Sequence, residues 1–423
     1  MEKKYLDINQ ELMAFIDKTP NAYHCVINVV DLLRANGFKE LAEKDDWHMQ
    51  KGSKFFVIRN DSSIIAFKLN DPQIKNGFNI VASHGDSPTF SIKPGEEIIE
   101  NGYLKLNTNG YGGVILYSWL DRPLSLAGRV ILKKDGKFKK EIINIDKDLL
   151  VIPSQAIHQN REVNDRNNLN PQVDLLPIMG ITDKPGKLKD LLMKMFPDHE
   201  LYDYDLYLYT RQKATYCGMN NEFIISPRLD NLACAFTSLK AFIETSDETT
   251  NQVYCCFDNE EIGSLTQGGA DSTFLSDILN RICLAQSVSI YPVLSKSMLV
   301  SADNGHALHP NAPAKSDLTN KVKLNKGVVI KHHVNYTTNA LSSSIFKDIC
   351  LQAGVSHQDY TCRSDLRNGA TLGGISLSHV SVTSVDIGLP QLAMHAAVET
   401  MGSLDSYAMF EALKLFYRSI IVK

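Results

Sequence analysis

Two periods of apolar and polar residues run along this chain, and the period changes with position. Near the start the pattern is helical. Ile8 to Ile16 reads as a short helix, and Thr19-Pro20-Asn21 resets the chain with turn and cap residues. From Ala22, apolar Val26, Val29, Val30, Leu32 and Leu33 predict a second helix, closed by Ala35-Asn36-Gly37 with glycine as the left-handed cap. Short apolar runs follow. Phe55 to Ile58 and Ser63 to Phe67 flank Asn60-Asp61-Ser62, the mark of a hairpin. Further strand-like runs cover Phe78 to Ala82, Gln252 to Phe257, Met298 to Ala302 and Val380 to Ile387. Between them Leu232, Phe236, Leu239 and Phe242 recur on one helical face, and Tyr407 to Ile421 is amphipathic. Buried strands alternating with helices predict an α/β domain, with a mixed, mostly parallel sheet flanked by helices.

The middle of the chain follows another rule. Between Ser87 and Tyr209 the patterns are short and β-like, broken by turns such as Asn109-Gly110-Tyr111-Gly112-Gly113. Tyr202 to Tyr209 alternates with period two, as a half-exposed strand does. The expected organisation is a discontinuous α/β domain, 1–86 plus 212–423, interrupted by an inserted, mainly β domain over 87–211.

Composition narrows the function classes. The 423 residues correspond to two or three domains, with 43% hydrophobic and 22% charged residues as in ordinary globular proteins. Lys and Arg total 44 against 48 Asp and Glu, so no excess positive charge is present to hold nucleic acid. No apolar stretch is long enough to span a membrane, and the charged start, Met1-Glu2-Lys3-Lys4, is unlike a signal peptide. Eight cysteines, none in a C-x-x-C pair, read as reduced structural residues, and the expected compartment is the cytoplasm.

Ligands of open α/β sheets bind beyond the carboxyl ends of the strands. There the sequence places His84-Gly85-Asp86, Asp258-Asn259-Glu260-Glu261, Asp303 and, after Gly388-Leu389-Pro390-Gln391, His395. Asp230 stands directly before a helix. Taken singly, each has an ordinary explanation: a solvated strand end, a turn, or for Asp230 a helix N-cap. Their shared topological position argues for a metal centre. Imidazole and carboxylate donors suit zinc or a similar divalent ion, and one carboxylate can bridge two ions. Asp86 is placed to orient the His84 ring.

A resemblance sharpens this. The segments SHGDSPTFSIKP (83–94), YGGVILYSWLDRPLSLAGRV (111–130), IHQNREVN (157–164), FIISPRLDNLACAF (223–236) and FDNEEIGS (257–264) resemble those of the aspartyl aminopeptidase family of metallo-aminopeptidases. So do SADNGHALHPN (301–311), KLNKGVVIK (323–331), RSDLRNGATLGG (363–374) and LPQLAMHAAVETMG (389–402), all in family order. The resemblance implies a dizinc exopeptidase-like fold and two divalent ions per subunit, zinc with manganese or cobalt as alternatives. His84, Asp230 and Asp303 would hold one ion; Asp230, Glu261 and His395 the other. Glu260 would be the general base, Asp86 is a further catalytic candidate, and His158 would reach a neighbouring subunit's site. Read alone, Lys331-His332-His333 is a basic cluster at a solvated strand end; the resemblance implies that Lys331 would help bind an acidic substrate side chain, and His306, close to Asp303 in sequence, is a further substrate-binding candidate. The inserted domain would be a dimerisation domain, and dimers would assemble into a dodecamer. The resemblance also implies a non-proline cis peptide bond near Asp230-Asn231.

Three positions depart from the family pattern: Gly85 where threonine is usual, Val398 where arginine is, and Asn368 where cysteine is common. None is a ligand or the base, but all bear on pocket shape. The expected activity is metal-dependent removal of N-terminal residues from peptides, with Asp or Glu preferred. A dizinc aminopeptidase of broad or neutral preference is the second reading, and a catalytically dead peptide-binding assembly the non-enzyme alternative. His306 and His309 have a spacing that would share a helical face, and Cys255-Cys256 reads as packing within a buried strand.

Overall fold

The structure is a computed structural model that describes residues 1–165, 168–246, 249–366, 369, 371–376 and 378–421. Asn368 lies outside the described residues. The chain forms two units: Met1–Asp86 with Ala214–Met394 and Glu399–Lys423, and Ser87–Lys213 with His395–Val398.

The first unit is built on a nine-stranded sheet. Its strand order is Lys39–Glu40, Ser53–Arg59, Ser63–Leu69, Asn251–Phe257, Phe78–His84, Met298–Ala302, Thr383–Gly388, Val328–His332 and His357–Thr361. The strand Phe78–His84 runs parallel to both neighbours, and Met298–Ala302 runs parallel to Thr383–Gly388. The hairpin Ser53–Arg59/Ser63–Leu69 is antiparallel and turns through Asn60 and Asp61, both at positive φ. The sheet is therefore mixed and mostly parallel, as the sequence pattern predicts.

Its central strands are buried along their whole length, which explains why they read as unbroken apolar runs. Successive residues still divide between two cores. Val81, Tyr254, Cys256 and Val300 pack with the helices Lys3–Asp17, Ala22–Ala35, Leu229–Glu244 and Asp405–Arg418. Ile80, Ala82, Val253, Cys255 and Leu299 pack with the helix Phe274–Ala285 on the other side. The helix Ala22–Ala35 starts where the Asn21 side chain accepts the His24 N–H, and Gly37 beyond its end takes φ 82°.

A small five-stranded sheet completes this unit: Thr215–Cys217, Phe223–Ser226, Glu399–Gly402, Pro390–Leu392 and Gly305–His306. It joins chain segments far apart in sequence. Ser226, four residues before Asp230, pairs with Glu399, and Gly305 pairs with Pro390.

The second unit is mainly β. Six antiparallel strands run in the order Lys137–Asn144, Leu124–Lys134, Glu200–Thr210, Thr89–Glu100, Tyr103–Tyr111 and Ile178–Ile181. Phe90, Leu106, Trp119, Leu126, Val130 and Leu208 are in its core. The segment His395–Val398 belongs with it: Ala397 enters that core, and its N–H donates to Ser118 Oγ at 2.9 Å. Among the described residues, no helix is long and apolar enough to cross a membrane.

Candidate metal centre

Parallel register aligns the carboxyl ends of the central strands, and Phe257 sits opposite His84. Beyond Phe257 the chain turns through Asn259 at φ 62° into a single 3-10 turn, Glu260–Ile262, closed by Gly263 at φ 97°. The neighbouring strand delivers Asp86 to this turn. Its carboxylate accepts the Glu260 N–H on Oδ1 and the Glu261 N–H on Oδ2, both at 3.2 Å. Asp86 Oδ1 also lies 3.3 Å from His84 Nδ1. One buried carboxylate thus fixes both an imidazole and the backbone of two glutamates.

The other edge of the His84 ring faces the remaining acids. Nε2 lies 3.7 Å from Asp230 Oδ1 and 3.6 Å from Asp303 Oδ1. Ligand atoms of His84, Asp230 and Glu261 all fall within 4.8 Å of one another. Donors around a zinc ion each stand about 2.0–2.2 Å from it, so a cluster of this spread closes on one with little movement. The charge balance fits as well. Asp86, Asp230, Glu260, Glu261 and Asp303 gather around a single imidazole and the Lys331 ammonium, 3.1 Å from Asp303 Oδ2.

Acting on one another, these groups shift strongly. Burial pushes Glu260 up to about 7, with Asp303, Asp86 and Asp230 adding to the rise and His84 opposing it. Burial, then Asp230, raises Glu261 well above the usual carboxylate range. Asp303 goes the other way. Burial would raise it, but Lys331 and His84 outweigh that and hold it below the usual range. Burial would lower His84, yet hydrogen bonds to Asp303 and Asp86 carry it well above an ordinary histidine. Crowded buried carboxylates of this kind call for a cation.

Asp230 is not in helical geometry. It has φ −82° and ψ 107°, and Asn231 follows with φ −122° and ψ 25° inside the element Leu229–Glu244. The Asp230-Asn231 peptide bond is cis. The Asp230 N–H donates to Glu399 Oε2 at 2.9 Å, and Asn231 Nδ2 donates to the Ala302 carbonyl at 2.9 Å. Glu399, Gln391 and Asn304 line this segment, and sequence reasoning assigned none of them a role. A lone Glu, Gln or Asn carries no local sign of its distant partner.

The remaining sequence candidates divide as follows. Lys331 is buried against Asp303, where an isolated basic cluster would be expected to be solvated. His306 ends a short strand rather than sharing a helix with His309. It borders a cavity of about 320 Å³ also lined by His309, Tyr360, Arg363 and Gln391. His395 belongs to the second unit, with φ 69° and Nδ1 3.0 Å from the Gly113 carbonyl. His158 is exposed in a turn of that unit. Gly85 lies against Cys25 and Cys256, whose sulfurs are 3.8 Å apart.

Comparison with known proteins agrees with this geometry. A family model described as "Aminopeptidase I zinc metalloprotease (M18)" matches residues 15–417. The chain is 42% identical over 430 residues to "Probable M18 family aminopeptidase 2" of Clostridium novyi (strain NT), covering 98% of this chain and 99% of that one. Among solved structures, a chain of the Ape4 and Nbr1 complex superposes with TM-score 0.93 at 35% identity, covering 98% of this chain and 85% of its own. The S. cerevisiae mApe1 dodecamer superposes with TM-score 0.85 at 28% identity, covering 98% and 97%.

Proposed function

The chain belongs to the M18 family of zinc metallo-aminopeptidases, and from that membership we propose that it removes N-terminal Asp and Glu residues from peptides, using two divalent ions per subunit. The observation that carries this reading is the cluster of His84, Asp230 and Glu261, with Glu260 beside it and Asp86 behind it. His84, Asp230 and Asp303 would hold one ion. Asp230, Glu261 and His395 would hold the other, with Asp230 shared. His395 is included on the strength of its motif, LPQLAMHAAVETMG. Zinc is the proposed metal. Manganese and cobalt suit the same donors.

When bound, the ions polarise the scissile carbonyl and lower the pKa of the attacking water. The protein's own groups do the rest. Glu260 accepts the water proton and passes it to the departing amine. Asp86 holds the Glu260 and Glu261 backbone and the His84 ring, so that none of the three must reorganise during the reaction. Lys331, paired with Asp303, and His306, at the border of the neighbouring cavity, are proposed to select an acidic side chain. We further propose that the first unit is the catalytic domain and the second a dimerisation domain. Dimers would assemble into a dodecamer in the cytoplasm, and His158 would enter a neighbouring subunit's site.

The test is initial-rate measurement on aminoacyl reporters carrying Asp, Glu, Leu, Lys or Ala, with chelator and with metal restored. Chelator-sensitive release from the Asp and Glu reporters is the expected result. Faster release from Leu or Lys would overturn the acidic preference while keeping the metal chemistry. No metal-dependent release from any reporter would overturn the reading itself.

A further inference from the structure

We propose that Glu399 is a positioning residue, which acts through the backbone of Asp230 to set how tightly the site holds its ions. The inference rests on the reading of Asp230 as a metal ligand.

Asn304 Oδ1 accepts from the Cys234 thiol at 3.0 Å, and Asn304 Nδ2 donates to the Leu229 carbonyl at 2.8 Å. The Asn304 side chain is therefore locked in one orientation. The same Nδ2 donates to Gln391 Oε1 at 2.8 Å, which forces Gln391 to present its own NH2 group onward. That group donates to Glu399 Oε1 at 3.3 Å. The other oxygen, Oε2, takes the Asp230 N–H. Position 399 thus meets a donor at each end. Of the side chains of this length, only a carboxylate offers two acceptors and no donor.

All four residues are buried, so water does not repair a mismatch. The relay also has a target. Leu229, Asp230 and Asn231 form one short segment, held by Asn304 at the Leu229 carbonyl, by Glu399 at the Asp230 N–H and by the Ala302 carbonyl at Asn231. With the backbone held at the Leu229 carbonyl and the Asp230 N–H, and the Asn231 side chain tied to the Ala302 carbonyl, the Asp230 carboxylate is left facing His84 Nε2. Partners of this kind, one bond removed from a ligand, typically govern metal affinity by a factor of roughly 10–100.

The test uses polarity. Glu399→Gln places an NH2 group against a donor. Gln391→Glu places two carboxylates against each other. Combined, the two changes reverse the roles without leaving a mismatch: Glu at 391 accepts from Asn304 and from Gln at 399, whose oxygen accepts the Asp230 N–H. Zinc affinity of the full-length chain would be read by competition with a chromophoric chelator, alongside turnover of the Asp reporter. Glu399→Gln is expected to bind zinc about 10–100-fold more weakly, and the double variant to recover most of the loss. Unchanged zinc affinity in Glu399→Gln overturns the inference. So does a double variant no better than the single one, or one that fails to fold although every hydrogen bond is satisfied. A wild-type protein that binds no zinc, or shows no metal-dependent release, refutes the functional reading instead.

Discussion

Gly85 stands between His84 and Asp86 where the aspartyl aminopeptidases usually carry threonine, and the structure supplies a steric reason. A Cβ at this position would lie 2.9 Å from Cys25 Sγ, 3.1 Å from Cys256 Sγ and 3.2 Å from Cys25 Cβ. Unstrained contacts between such atoms are about 3.5–4.0 Å, so all three are too close. Rotating the Cys25 thiol relieves the first contact but not the third, because its Cβ is fixed to the helix Ala22–Ala35. Overpacking of a buried site costs about 1–3 kcal/mol. Gly85→Ala is therefore expected to lower the thermal midpoint by a few degrees. Cys25→Ala removes the nearest sulfur and so relieves the shortest of the three contacts, leaving those to Cys25 Cβ and Cys256 Sγ. In a double-mutant cycle the pair should be more stable than the sum of the two single changes, by about 1–2 kcal/mol. The assay is thermal unfolding of the four proteins at one scan rate and one zinc concentration. A Gly85→Ala protein as stable as wild type would refute the steric argument. Strict additivity would show that the Cys25 sulfur is not the obstacle.

Three further outcomes follow from the same geometry. Glu260→Ala should retain its metals while turnover falls by roughly 10²–10⁴-fold; near-wild-type turnover, or loss of metal measured by elemental analysis, would contradict the base assignment. Removing the ions leaves half-buried Glu260 and Glu261 crowded by Asp86 and Asp230. Chelation should therefore lower the melting temperature, since binding at about 1,000 times Kd contributes about 4 kcal/mol; an unmoved transition after verified metal removal would count against the site. Asp405, away from the centre, is pushed by burial from 3.8 up to about 7, although it accepts the Asn325 and Gly327 N–H groups. Between about 4 and about 7 the folded state then holds more protons than the unfolded one, so the stability of wild type relative to Asp405→Asn should fall as pH rises through that window. Thermal scans across this range would show a constant difference if Asp405 does not titrate there.

Much of the architecture is legible in short windows of sequence. The run Met298 to Ala302 is a strand to the residue, and Asn60-Asp61 supplies the hairpin turn expected of it. The helix carrying Leu232, Phe236, Leu239 and Phe242 spans Leu229–Glu244, and its apolar stripe is buried. His84 ends one strand, and the Glu260-Glu261 pair and Asp303 follow its two parallel neighbours. Where local reading fails, a partner distant in sequence is the cause. His306 and His309 have helical spacing, but Gly305–His306 is drawn into a strand by Pro390–Leu392. Lys331 looks like part of a solvated basic cluster, yet Asp303 takes it into the interior.

Apolar periodicity is a local property, since it depends on which residues face one way along a single helix or strand. It sets the elements, their order and the edge of the sheet at which the chemistry-bearing residues emerge. The choice of hydrogen-bond partners is not local. Asp86 binds the backbone of residues more than 170 positions away, and Glu399 binds that of Asp230 across 169. A buried donor takes whichever acceptor the packed fold brings within about 3 Å. Only tertiary structure therefore decides which carboxylates face the candidate ions and which hold the backbone behind them.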